Sequence, residues 1–437
     1  MRDLIIAIAV FGSIPFILKR TYIGVLVWSV LGYLNPHRLS WGFAYNFPFS
    51  QIVAITTIIS LIFSREPKKI PWSSATVVWL IWLIWMSITT YTAIDPSHSV
   101  WEWERTMKIQ VLVLITLLTI NDVKKLNALV WVIVVSIGFY GVKGGMFTLL
   151  TGGNYLVWGP ADTHIAGNNE IAFALVMIFP LMYYLYSTTK NKKIRLILLA
   201  CMLLVTVSVI GSYSRGAFLS ISAMGFLLFL RSKKKLLIGS VIVILAVSLL
   251  SFIPDKWSER MGTIQTYDED ASAMGRINSW YFAANLANEY PIVGGGFDTF
   301  SKDLFQIYAP VPHDHHDAHS IYFEVLAEHG YVGLLIFLLL GIVTLKIGSS
   351  TIRTTKGIPE LQWAYILASM VQASMIGYAV GGAFLGLAYF DLYYHLIAMQ
   401  IIIRKIVNDT LSEENTDVDT DADTKPTRKV RHKKLPG

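Results

Sequence analysis

Long apolar runs separated by short polar connections recur along almost the whole chain. They lie at residues 4–18, 21–34, 49–63, 73–93, 105–120, 126–142, 169–188, 195–212, 217–230, 236–252, 319–346, 361–379 and 384–403. A helix needs about 20 apolar residues to cross a hydrocarbon core about 30 Å thick, and the runs lack the alternating polarity of membrane barrel strands. The pattern predicts an all-α polytopic membrane protein with about 12-13 transmembrane helices. The first run is short and contains Pro15, so it reads either as a span or as a tilted or re-entrant segment.

One polar segment, residues 253–318, is too long for a simple turn and marks a functional loop. Within it, Arg276 through Tyr290 places Ile277, Trp280, Tyr281 and Ala284 at helical spacing, before Pro291 and Gly294-Gly295-Gly296 end the pattern. This predicts a half-buried helix across the mouth of the bundle. The chain therefore divides into a multi-span domain, residues 1–403 with the 253–318 loop inserted, and a polar tail, 404–437, expected to be disordered from about Leu411. No internal repeat suggests the inverted halves of a transporter.

Composition agrees with a membrane protein: 54% of residues are hydrophobic and 15% charged, against about 25% charged in a soluble domain. The net charge of +7 comes from Lys and Arg clusters at alternate connections, near 19–20, 65–69, 124–125, 190–195, 231–235, 346–356 and from 404 onward. Topology accounts for that charge, and nucleic acid is not implied as a partner. The positive-inside rule assigns those connections and the C-terminus to the cytoplasm, which leaves the N-terminus outside if the first run spans. Residues 4–18 lack a small-residue cleavage site and are followed by Lys19-Arg20, so no cleaved signal peptide is expected. The lone Cys201 excludes an internal disulfide.

The same rule should strip basic side chains from the opposite face, yet Arg38, Arg105, Lys143, Arg215 and Arg276 fall there. Arg215 sits in a very short turn, Gly211 to Gly216, between two apolar runs. An interfacial arginine snorkelling to lipid phosphate explains it blandly; a bidentate clamp on a phosphate-bearing substrate explains it sharply. Arg276 opens the expected loop helix, whose free N–H groups and positive dipole end would reinforce its pull on an anion. Alone it would more often be a solvated surface charge, but two arginines and a helix terminus suit a diphosphate. Lys143 and Arg105 are weaker candidates without supporting spacing.

His313, Asp314, His315, His316, Asp317 and His319 crowd the start of the 319–346 run, which also holds Glu324, Glu328 and His329. Ionisable groups near a span are costly and mark a site unless a partner explains them. The cluster reads either as a metal site, though without a regular i, i+4 histidine pair, or as a hydrated loop. His319 stands apart at the start of the run, where a neutral imidazole can accept a proton. Its bland role is a helix cap or a core hydrogen bond.

His319-Ser320, nine residues, then Gly330-Tyr331-Val332-Gly333 resembles the signature of the O-antigen ligase and O-antigen polymerase superfamily. Ser214-Arg215-Gly216 and Gly275-Arg276 followed by Trp280 resemble that family's other two landmarks, in the same order. Ala318 through Gly333, together with Gly141-Val142-Lys143-Gly144-Gly145, is most similar to O-glycosylation (O-antigen) ligases associated with exosortase systems. The motif likeness covers about residues 140–335, and the first spans resemble the family only in hydropathy.

The resemblance implies a GT-C-like membrane glycosyltransferase in the bacterial inner membrane, with its active site facing the periplasm. It would transfer a glycan from an undecaprenyl diphosphate-linked donor to an acceptor hydroxyl on lipid A core or a similar glycan, lipid or protein. His319 would be the general base and Arg215 with Arg276 would hold the diphosphate, with inversion at the anomeric carbon and no metal or cofactor. A polymerase and an O-linked protein oligosaccharyltransferase would share that donor site. A lipid-linked glycan flippase is the competing class, and the clustering of every candidate residue on one face argues against it.

Overall fold

The computed structural model describes residues 1–231 and 271–424, and every expected run among them is helical. The helices are α1 (Arg2–Lys19), α2 (Thr21–Tyr33), α3 (Phe49–Phe63), α4 (Ser74–Tyr91), α5 (Pro96–Thr119), α6 (Val123–Leu150), α7 (Asn168–Thr188), α8 (Lys192–Gly211) and α9 (Arg215–Arg231). After the undescribed stretch come α10 (Ala271–Glu289), α11 (Lys302–Tyr308), α12 (Ile321–Thr355), α13 (Gln362–Gly381) and α14 (Asp391–Thr424). The expected run at 236–252 and the first part of the 253–318 loop lie outside the described residues. No strand occurs among those described.

Local chemistry sets the helix starts. Ser73, Asp95, Asp122 and Asn191 each accept a hydrogen bond from a first-turn N–H of α4, α5, α6 and α8, and Pro96 occupies the first position of α5. Ser74–Tyr91, Val123–Leu150, Asn168–Thr188, Lys192–Gly211, Ile321–Thr355 and Pro359–Phe384 are long and apolar enough to cross a membrane, and Thr21–Tyr33 and Phe49–Phe63 are shorter apolar helices. The protein is an all-α polytopic membrane protein. Large apolar side chains remain exposed on its outer helices, among them Ile84, Leu196 and Leu335, as suits contact with lipid.

Buried α7, α13 and α14 form the centre: α13 packs on α7, α9, α12 and α14. α6 lies close along α8 because glycine permits it. A Cβ on Gly145 would come 2.1 Å from the Leu204 carbonyl oxygen, and one on Gly141 would strike Leu175 and Val205. The Gly141–Gly145 segment is thus a helix-packing surface.

The two ends of the bundle differ chemically. Lys125 lies 3.8 Å from Glu66 and over the ring of Tyr22, and Arg404 donates to Thr354, so several basic connections gather at one end. Every candidate site residue lies towards the other. α14 runs from Asp391 to Thr424, and Ile406 and Val407 on it are buried. Residues 425–437 lie outside those described.

α12 is broken near its N-terminal end. Gly330 has φ +67° and ψ −173°, and the Tyr331 N–H turns to the Pro291 carbonyl at 2.9 Å. The carbonyls of Ala327 and Glu328, deprived of helical partners, accept from Gly295 and Gly296 at 2.8 and 2.9 Å. Irregular backbone at this depth is tolerated only where such partners exist. Gly330 permits this break, since a side chain there would meet Ile292 O at 2.5 Å.

Candidate active site

α10 and the histidine-rich loop are stapled into one unit by side chains that answer the loop's backbone. Asn278 accepts from Val311 N and donates to Val311 O and Asp314 O, each at 2.9 Å; Ser279 donates to His316 O at 3.0 Å, and Trp280 donates to Ala318 O at 2.9 Å. Trp280 also stacks on Phe323 of α12, with centroids 5.0 Å apart. Beneath, Phe282 and Phe305 are fully buried and stacked at 4.3 Å, each contributing about 1.5–3 kcal/mol of burial. Gly275 leaves room for the His316 ring, which a Cβ would meet at 2.6 Å.

Arg276 does not open its helix as expected. α10 is already helical from Ala271, so Arg276 lies in its second turn and has no share in a free helix terminus. The terminus belongs instead to Arg215, the first residue of α9, where Ser214 Oγ accepts from Ala217 N at 3.2 Å. Tyr213, with φ +55°, makes the sharp turn, and Asn168 fixes it by donating to Ser212 O at 2.8 Å. The N-terminal ends of α7 and α9 therefore converge, and Asn169, Arg215, Gly216 and Arg276 line one crevice of about 10 Å³. That is room for about one water, so an anion binds there only if the guanidinium groups move apart.

The crevice adjoins a cavity of about 210 Å³ whose lining includes His319, Arg105, Glu170, Asp317, Glu324 and Tyr389. Asn169 and Leu385 border the crevice while Glu170 and Gly386 border the cavity, so consecutive residues pass from one to the other. His319 is partly buried and takes a left-handed φ of +43°, a strained conformation for a non-glycine residue. No hydrogen bond to its ring is found among the described residues. Burial holds its pKa below the ordinary 6.5, the cation of Arg276 lowers it further, and Asp317 opposes both. The imidazole is therefore neutral near pH 7 and able to accept a proton.

The remaining polar groups have structural engagements. Glu324 accepts from Ala388 N at 3.2 Å. Glu328 accepts from Asp298 N at 2.9 Å and from the Tyr389 hydroxyl, which also lies 2.8 Å from His329 Nε2; Thr89 Oγ1 lies 2.7 Å from His329 Nδ1. This buried network forms the floor of the cavity. His315 meets Phe300 O and His316 meets Asp314 Oδ1, both at 2.8 Å, and no group of three or more potential metal ligands occurs among the described residues.

Of the weaker candidates, Arg105 lines the cavity and pairs with Glu102 at 3.3 Å, whereas Lys143 lines a separate hollow with Tyr140 and Trp158. Arg38 pairs with Asp162 at 3.5 Å and covers the Tyr45 ring. Sequence reading missed Glu170, His164, Asp298 and Tyr389. His164 is pushed down to about 4 by burial and by Arg105, and burial raises Asp298 above the usual carboxylate range. Only Glu170 carries a local signal, as an acid at the head of an apolar run.

Residues 199–338 match a family model described as O-antigen ligase, an interval that includes Arg215, Arg276 and His319. Residues 1–190 match a family of unknown function, DUF5935. No curated protein matches the chain.

Proposed function

The chain belongs to the O-antigen ligase superfamily through residues 199–338, and on that premise we propose that it transfers a glycan from undecaprenyl diphosphate to an acceptor hydroxyl at the periplasmic face of the inner membrane. The basic end of the bundle is then cytoplasmic, as is the C-terminus. Residues 1–403, with the loop inserted, act as one membrane domain. The narrower likeness to exosortase-associated ligases belongs to the same proposal.

The observation that carries the reading is the adjacency of the Arg215–Arg276 crevice to the cavity that His319 lines, with consecutive residues bordering one and the other and the Arg276 cation acting on the imidazole. The donor diphosphate enters the crevice between the two guanidinium groups, and the anomeric carbon faces the cavity. An acceptor hydroxyl there gives its proton to the neutral imidazole of His319 as its oxygen bonds to the anomeric carbon. The bond from that carbon to the diphosphate oxygen breaks, and the electron pair leaves with undecaprenyl diphosphate. Attack opposite the leaving group inverts the configuration. The departing diphosphate needs charge stabilisation rather than a proton, and fixed cations beside a dry site supply it, so the scheme calls for no metal.

The test is purified protein with a defined undecaprenyl diphosphate glycan and alternative acceptors, with product linkage read by mass spectrometry. Product on a glycan or lipid acceptor in the presence of chelator supports the reading. Movement of donor across vesicles without any new linkage would favour a flippase and overturn it.

A further inference from the structure

The N-terminal half contains a large groove that the transfer reaction does not use. α3 packs on α1 and α2, and α5 packs on α2, α4 and α14, so the two flank an open channel floored by Trp28 of α2. It holds about 620 Å³, within the range of ligand sites. On α5 the lining residues Glu104, Met107, Lys108 and Val111 form a single helical stripe, while Glu102 and Arg105 of the same helix line the reaction cavity. α5 is a wall common to both.

The groove is polar at one end and apolar along its length. His37, Arg38, Ser50 and Gln51 gather where α3 begins, and Glu104 and Lys108 line the groove from the middle of α5. Ile55 and Ile58 continue it along α3, about 8 and 12 Å beyond Ser50 at 1.5 Å per helical residue, Val111 follows Lys108 by about one turn of α5, and the three are 51%, 37% and 37% exposed. His37 Nδ1 is buried there without a hydrogen-bond partner among the described residues. The rim carries both charges: Lys108 and Glu104 lie 3.6 Å apart, both well exposed, and Arg38, which also lines the groove, lies 3.5 Å from Asp162 and covers the Tyr45 ring.

We propose that this groove binds a membrane phospholipid whose headgroup carries both a phosphate and a primary ammonium, with an acyl chain along α3 and α5. Arg38 and Lys108 face the phosphate, and Glu104 accepts from the ammonium, which a trimethylated or uncharged headgroup cannot reproduce. The apolar stripe at bilayer depth receives the chain, and this gives the DUF5935 half a ligand of its own.

The test uses the full-length protein in nanodiscs of equimolar phosphatidylethanolamine, phosphatidylcholine and phosphatidylglycerol with a polyprenyl phosphate. In separate samples one lipid carries a photoactivatable chain, and adducts are mapped by peptide mass spectrometry. Phosphatidylethanolamine adducts should concentrate on residues 49–58 and 104–111, at least about fivefold above each other lipid. Glu104→Gln should abolish that selectivity while labelling persists, and Ile58→Trp should block labelling of the groove alone. Adducts spread evenly over the outer helices, preference for the anionic lipid or the polyprenyl phosphate, or a second copy of the chain crosslinked into the groove would each overturn the proposal.

Discussion

Trp280 donates its indole N–H to the carbonyl of Ala318 at 2.9 Å, so the helix that carries Arg276 grips the residue immediately before His319. The cation and the imidazole therefore share one mechanical support although 42 residues lie between them in the sequence. Trp280→Phe keeps the stack on Phe323 but removes the donor. It should leave the thermal midpoint within a few degrees while lowering kcat by about tenfold, since small misplacements cost rate steeply; unchanged kcat would deny the coupling.

His319→Ala should lower turnover by about 10² to 10⁴, the usual worth of a general base. Gel filtration and thermal unfolding of the same sample establish that it folds. Full turnover in a folded variant would remove His319 from the chemistry.

The pH profile tests the electrostatics with a definite sign. The neutral form of His319 accepts the proton, so kcat/KM should be high above its lowered pKa and fall as pH drops through it. Arg276→Ala removes a neighbouring cation and should move the acid limb to higher pH; Asp317→Asn removes an opposing carboxylate and should move it lower. The midpoint is read independently of the amplitude, so weaker donor binding does not obscure it. Two unmoved midpoints would contradict the assignment.

Arg215→Ala and Arg276→Ala should each cost about 10² to 10³ in kcat/KM for the lipid diphosphate donor, as expected when a fixed donor to a developing anion is lost. Lysine should restore little, because it lacks the planar fork that engages two phosphate oxygens. Steady-state titration of donor at fixed acceptor reads both, and wild-type kinetics in either alanine variant would favour simple snorkelling.

Gly330→Ala places a Cβ 2.5 Å from Ile292 O at a φ of +67° and should destabilise the protein by about 1–3 kcal/mol. Gly12→Ala in α1 meets nothing within 4 Å and serves as the matched control. Thermal unfolding in detergent should separate the two variants clearly.

Sequence alone exposes the helices because each apolar run declares itself by length, and Ser73, Asp95 and Asp122 mark where several begin. Arg215 and Arg276 stand out in the sequence because each breaks the charge bias expected of its face, and His319 because it opens an apolar run. Asp298 and Tyr389 are not, since they reach the cavity from turns whose placement depends on distant contacts with Glu328 and His329. The positive φ of His319 and the interruption at Gly330 are likewise invisible, because a glycine or histidine beside an apolar run does not disclose its dihedral angles. The sequence around Lys143 is ambiguous for a related reason: the glycines beside it serve contact between α6 and α8, a purpose that only three-dimensional packing reveals.

The interruption in α12 also bears on how the bilayer would act on the candidate site. The short piece before Gly330 is bound to the 291–296 turn, while the long piece after it continues as apolar helix to Thr355. Changes in membrane thickness that incline the long piece are expected to be absorbed at residue 330, leaving the imidazole's bearing towards Arg276 insulated from the fluid surroundings in which the protein sits.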